Sequence, residues 1–161
     1  MGLFDKLTGT RHPEAGVRPL PTMEVRAALL ALDGPDVQFT LREGTPKEGA
    51  DLVAVWRIPP GPWHPRRGQT LLRLVPAKRE VRTLDEKWER LEDGERSFNG
   101  KGLKYSRGPL TSLSTQWTVE RDPDGRRRLT ETSSFSSTRV KSPLRDAVLA
   151  AGWTWRGVFR L

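Results

Sequence analysis

Apolar positions in this chain recur mostly at period two, and in two stretches they switch to helical spacing. Leu52, Ala54, Trp56 and Ile58 fall on one side of an extended segment, with Val53 and Val55 on the other. That pattern marks a central strand covered on both faces. Val37, Phe39 and Leu41 alternate with polar residues and predict a half-buried strand. Thr70 to Val75 and Glu80 to Leu84 predict a hairpin through Pro76-Ala77-Lys78. Thr115 to Glu120 and Arg128 to Thr132 flank Asp122-Pro123-Asp124-Gly125, where Asp-Gly accepts the positive φ of a tight turn. Ser134 to Val140 reads as an edge strand, and Trp153 to Phe159 as a closing one.

Met23, Val25, Ala28, Leu29 and Leu32 set a helix over 22–32, with Thr22 as its cap and Asp33-Gly34-Pro35-Asp36 as its end. Leu144, Ala147, Val148 and Ala151 recur at i, i+3, i+4 and i+7 and set a second helix over 143–151. Ser142 is expected to cap it, Pro143 to take the first helical position and Gly152 to supply a left-handed stop. Pro59 to Pro65 must be a loop, because proline removes donors and fixes φ. From Asp85 onward, Leu84, Trp88 and Leu91 sit at helical spacing, so the strand is expected to end at Leu84 before a short charged helical or irregular segment. Residues 93–109 carry Gly94, Gly100, Gly102, Gly108 and Pro109, which predicts a mobile loop or a poorly formed strand pair.

The elements together predict an α+β fold. Its sheet is antiparallel and curved, open or curled toward a barrel, with about six to eight strands and an N-terminal and a C-terminal helix packed on it. Residues 1–21 are rich in Pro, Gly and Thr after the first turn and read as a flexible tether; 22–161 reads as a single domain.

Charge adds one feature to this picture. The net charge of +8 is confined to one half: residues 1–95 hold fifteen basic and fifteen acidic residues, residues 96–161 thirteen and five. Such asymmetry favours an anionic partner. Arginine outnumbers lysine 21 to 7, which a GC-rich coding sequence also produces without selection for binding. The chain has no cysteine, so thiolate chemistry and Cys-ligated zinc are excluded and a cytoplasmic setting is expected. No stretch reaches the roughly 20 apolar residues of a membrane span. Leu3, Phe4 and Leu7 share a helical face that would suit a brief interfacial contact, against the commoner outcome of a frayed or docked terminus.

Catalytic patterns do not assemble. His12 and His64 are the only histidines and lie in separate irregular segments, too few for a transition-metal site of three or four convergent ligands. No Gly-x-Ser-x-Gly elbow occurs. Asp85, Glu86, Glu89, Glu92, Asp93 and Glu95 form one charged run with Lys87 and Arg90, which is an ordinary solvated face. Gly100-Lys101-Gly102 lacks the frame of a phosphate loop. No catalytic residue, metal ligand or cofactor is therefore assigned.

Two constellations suit binding. Arg126, Arg127 and Arg128 follow the Asp-Gly turn, Arg121 lies on the facing strand, and Lys101, Lys104 and Arg107 precede them. Guanidinium forks grip phosphate oxygens, and Tyr105 or Phe98 offers a ring for base stacking. Asp122, Asp124 and Glu120 partly neutralise the turn. In Pro62-Trp63-His64-Pro65, Trp63 is a loop aromatic of the kind that anchors a partner, so Trp63 and His64 are the partner-binding candidates.

Asp51-Leu52-Val53-Ala54-Val55-Trp56-Arg57-Ile58, Lys141-Ser142-Pro143-Leu144 and Ala150-Ala151-Gly152-Trp153-Thr154-Trp155-Arg156-Gly157-Val158 follow a Met1-Gly2-Leu3-Phe4 start. In these blocks the chain resembles a family of short uncharacterised actinomycete proteins. The resemblance implies a compact intracellular β-rich bacterial domain with terminal helices and carries no activity. The expectation for function is thus a non-enzymatic, cytoplasmic binding or adaptor protein with a protein partner. The rivals are a binder of anionic surfaces, nucleic acid or acidic lipid, through 96–128, and a ligand carrier or enzyme with a pocket in the curved sheet.

Overall fold

β2 (Leu52–Trp56) sits where its two-sided apolar pattern requires, between β1 (Phe39–Glu43) and β3 (Arg67–Val75). The computed structural model describes residues 2–61, 64–90, 103–110 and 113–161, with the backbone alone at 113–118 and 130–133. The remaining elements are α1 (Leu3–Thr8), α2 (Thr22–Leu30), β4 (Glu80–Arg90), β5 (Leu103–Gly108), β6 (Leu113–Arg121), β7 (Arg127–Ser136), α3 (Ser137–Ala150) and β8 (Thr154–Gly157). The fold is α+β. One sheet runs β1-β2-β3-β4-β5 in antiparallel order, β8 joins β4 in parallel, and β6 and β7 form a separate two-stranded ribbon. The main sheet is open and not closed into a barrel.

The inner face follows directly from strand alternation. Phe39 and Leu41, then Leu52, Ala54 and Trp56, then Leu72, Val81 and Trp155 meet Val25 and Leu29 of α2 and Val140, Leu144 and Val148 of α3. The opposite face holds a small cluster of Val53, Leu71 and Leu84, against which Val55, Val158 and Leu161 pack.

Several local expectations change. β4 does not stop at Leu84 but continues to Arg90, because each of its edges finds a partner. β3 pairs with it along its length, from Val75 opposite Glu80 to Arg67 opposite Trp88. Its other edge is divided: β8 takes Glu80 to Thr83 and β5 takes Asp85 to Arg90. Ladder hydrogen bonds on both sides outweigh the helical spacing of Trp88. Gly108, read within a mobile loop or a poorly formed strand pair, ends strand β5 with φ of 124°.

The serine-rich stretch is not an edge strand throughout. β7 runs through Ser136, and α3 begins at Ser137, six residues before the expected start. Ser136 is the cap, its side chain accepting from Arg139 N, and Pro143 lies inside the helix. Val140, Leu144 and Val148 at i, i+4 and i+8 are all buried, so packing of that stripe carries the helix past the donor that Pro143 lacks. Thr22 is likewise the first residue of α2 rather than its cap; Pro21 precedes it in extended geometry. Gly152 does end α3, at φ 75°, with Gly152 N bonded to Leu149 O and Trp153 N to Val148 O.

The stretch read as a tether follows a docked course. Residues 3–8 form α1, and Arg11 exchanges both backbone hydrogen bonds with Trp155. Leu20 N bonds Ala151 O, and the Trp153 indole donates to Leu20 O at 2.9 Å. Thr10 is fully buried, and an extra Cβ at Gly157 would lie 1.9 Å from Thr8 O. Close approach to β8, which glycine alone permits, holds this segment in place.

Candidate functional site

The end of the main sheet where β3, β4 and β5 meet collects the aromatic and cationic side chains that sequence reasoning had scattered. On the face away from the helices, Arg67 stands opposite Trp88 and Trp88 opposite Tyr105. The Arg67 guanidinium lies 4.7 Å from the Trp88 ring centroid, and the Trp88 and Tyr105 rings are 5.3 Å apart at 47°. A cation over an indole gains from the ring quadrupole and remains able to bind phosphate at its edge. Glu86 is the neighbouring acid. It accepts from Gln69 Nε2 at 3.2 Å and from the Tyr105 hydroxyl. Burial, then this bond to a carboxylate, pushes the Tyr105 hydroxyl up to about 12, so it stays a protonated donor.

Arg107 faces Glu86 across the β4–β5 ladder on this same side. Lys104 pairs with Glu89 and therefore lies on the opposite face. Beside Trp88, where Arg66 N bonds Trp88 O, a surface groove of about 490 Å³ is lined by Ile58, Pro59, Pro60, Arg66 and Arg90. The sequence pattern did not mark Arg66, Arg67, Arg90 or Trp88 as binding residues; Trp88 was read for helical spacing and Arg90 as part of a solvated charged run. Extending the hairpin register of 70–75 with 80–84 outward would have found them, since it brings Arg67 opposite Trp88.

The predicted arginine cluster lies on the ribbon. Arg121 pairs with Arg127 and Glu120 with Arg128, at the end of the β6–β7 ladder, and Arg126 sits in the turn. All four arginines are exposed. Asp122 shapes the turn: its Oδ1 accepts from Asp124 N and Arg126 N. One step back, Val119 and Leu129 form a cross-strand pair, 58% and 67% exposed. The structure thus brings Arg121, Arg126, Arg127 and Arg128 together and places Lys104 and Arg107 on the main sheet instead. Lys101, Phe98 and Trp63 lie outside the described residues. His64 is 3% exposed, its ring edge-on to Phe135 at 6.5 Å.

A further hollow, of about 250 Å³, opens between α1, the turn after β5 and α3. Lys6, Arg11, Lys141 and Arg145 line it, and among the described residues no acidic side chain does. Lys141 Nζ is anchored below by Asp85 Oδ2 at 2.6 Å and Leu110 O at 2.8 Å. Asp85 Oδ1 accepts from Thr70, which in turn accepts from the Trp56 indole. This buried chain of polar groups leaves no partner wanting at its centre and ties α3 to the sheet. Among the described residues no group of three or more His, Asp or Glu is placed to hold a metal. No helix among them is long and apolar enough to cross a membrane.

No protein-family model, curated protein or solved structure matches this chain.

Proposed function

We propose that this chain is a non-enzymatic binding protein whose partner is single-stranded nucleic acid, held at the β3–β4–β5 end of the sheet and by the arginine-tipped ribbon. The observation that carries the reading is the row Arg67, Trp88 and Tyr105 on three adjacent strands, with Arg107 on the same face and Arg66 and Arg90 in the adjoining groove. Aromatic rings stack on bases of any sequence, and guanidiniums follow the phosphates. A cytoplasmic setting suits a chain with no cysteine.

Fluorescence anisotropy with labelled oligo-U and oligo-dT tests this. Tyr105→Ala is expected to weaken binding by about tenfold, in line with roughly 1–3 kcal/mol for one stacked base. Arg66→Ala with Arg67→Ala should lower the salt slope by about 0.7 per lost phosphate contact. Arg126→Glu with Arg127→Glu should weaken retention on nucleic acid or heparin. Binding indifferent to all three sets of changes would refute the reading.

The exposed Val119–Leu129 pair favours a second reading, an adaptor whose ribbon docks on another protein. Cross-linking lost on Val119→Ser with Leu129→Ser, and unaffected by Tyr105→Ala, would favour it over the first.

A further inference from the structure

α1 turns its apolar side away from the protein. Leu3, Phe4 and Leu7 are 77%, 63% and 69% exposed, whereas Thr8 is buried and its hydroxyl lies 2.7 Å from that of Thr10. A short helix docked for the sake of the core would do the reverse. The orientation is held from several directions. Thr10 N bonds Asp5 O, the two strand-like bonds of Arg11 follow, and Asp5 Oδ2 meets His12 Nε2 at 3.1 Å. That hydrogen bond from His12 lowers the Asp5 carboxyl below its usual range. Gly157 admits Thr8 against β8 with no room for a side chain. Three large apolar side chains are therefore presented outward on a fixed support.

The rim of the same element is cationic. Lys6 and Leu7 both line the hollow that Arg11, Lys141 and Arg145 complete. Lys141 is bound to Asp85 and Arg145 to Asp146, and among the described residues the lining itself holds no carboxylate. Apolar groups beside a basic hollow match a surface with hydrocarbon below and phosphate above. The geometry points to a docking site for a membrane rich in acidic phospholipid. Leu3, Phe4 and Leu7 enter the acyl boundary, and Lys6, Arg11 and Arg145 take headgroup phosphates. Charge complementarity selects this occupant. A second copy would bring cations against cations, and a nucleic acid would leave the three apolar side chains in water. The site is separate from the β3–β4–β5 surface, so it makes an adaptor of the chain: one face on a membrane, another on a polymer.

The test is flotation of the full chain with phosphatidylcholine vesicles and with vesicles containing about 30% phosphatidylglycerol, at low and moderate salt. Acidic vesicles are expected to retain the chain about tenfold better than neutral ones, less so as salt rises. Phe4→Ser with Leu7→Ser should remove most binding to either. Lys6→Glu with Arg145→Glu should abolish the preference for acidic vesicles. All four side chains are solvent-facing or at the rim, so an unchanged melting temperature certifies the fold of each variant. Three results would overturn the proposal: no flotation with acidic vesicles at low salt, flotation unaffected by Phe4→Ser with Leu7→Ser, or dimerisation abolished by those changes in sedimentation. Oligonucleotide binding measured on the same variants should stay unchanged, which separates failure here from failure of the nucleic-acid reading.

Discussion

Two buried acids set the electrostatics of single residues in this fold, and each is answered differently. Glu80 is 4% exposed and accepts from Arg82 Nε and Arg156 Nε, both at 2.7 Å. Burial works to raise its pKa, but the hydrogen bonds and charges of the two arginines prevail and hold it below 4.5. A folded-state value below the unfolded one contributes stability above about pH 4.5 that is lost as pH falls through the folded value. Glu80→Gln is expected to cost about 2 kcal/mol at neutral pH and to flatten part of the acid limb. Urea unfolding at pH 7 and pH 3 measures both; an equal loss at the two values would refute it. Asp85 has one cationic partner, Lys141, beside neutral donors from the Thr70 hydroxyl and Leu110 N. Lys141→Met should cost roughly 3 kcal/mol or more by stranding a buried carboxylate, and Asp85→Asn added to it should recover part of that loss. Additive losses in the same unfolding assay would contradict the coupling.

At the scale of elements, close backbone approach decides where the chain before α2 lies. An added Cβ at Gly152 would meet Pro19 Cα at 2.8 Å and Arg18 O at 2.9 Å, on a residue whose φ is 75°. Gly152→Ala is therefore expected to destabilise by about 2 kcal/mol and to raise proteolytic cleavage within residues 9–21. Limited proteolysis at native temperature reads this directly, and wild-type resistance in the variant would count against it. The end of α3 was legible because a left-handed residue after an apolar stripe has a local cause. Its start was not. The stripe extends back to Val140, but Pro143 and a run of serine and threonine mimic a helix start preceded by a strand. What settles the matter is burial of Val140 and Ser137 against the core, a tertiary fact. Trp88 misled in the same manner, its helical spacing overruled by ladders on both edges of β4.

Across the whole molecule, the main sheet carries most of the core, and the ribbon joins it at its base, where Phe135 of β7 packs on Trp56 with ring centroids 5.7 Å apart. Among the described residues β6 and β7 pair with each other alone, and a two-stranded ribbon by itself is marginal in water. Hydrogen exchange is expected to open β6 and β7 at lower free energy than β2 and β3. Equal protection in the two regions would show that the ribbon is integral to the core. The same separation explains the candidate surfaces. Seven cationic positions were expected to act as one patch along 96–128, yet the ribbon takes Arg121 and Arg126 to Arg128, while Arg107 joins Trp88, Tyr105 and Arg67. Linear proximity across a strand-to-ribbon connection is no guide to spatial proximity.

By itself the sequence determined the inner face. Period-two alternation in β1 to β3 and the stripe of α3 name much of the inner-face core, because burial of an apolar side chain follows from local geometry once the element is known. The Asp-Gly turn and the Gly152 stop were determined in the same local way. Tertiary structure alone decided that β8 lies parallel to β4, that Arg67 covers Trp88, and that Leu3, Phe4 and Leu7 face outward beside a basic hollow. Each of those depends on which edge or surface is left unpaired after the rest has folded, a property of the assembled sheet that no window along the chain contains.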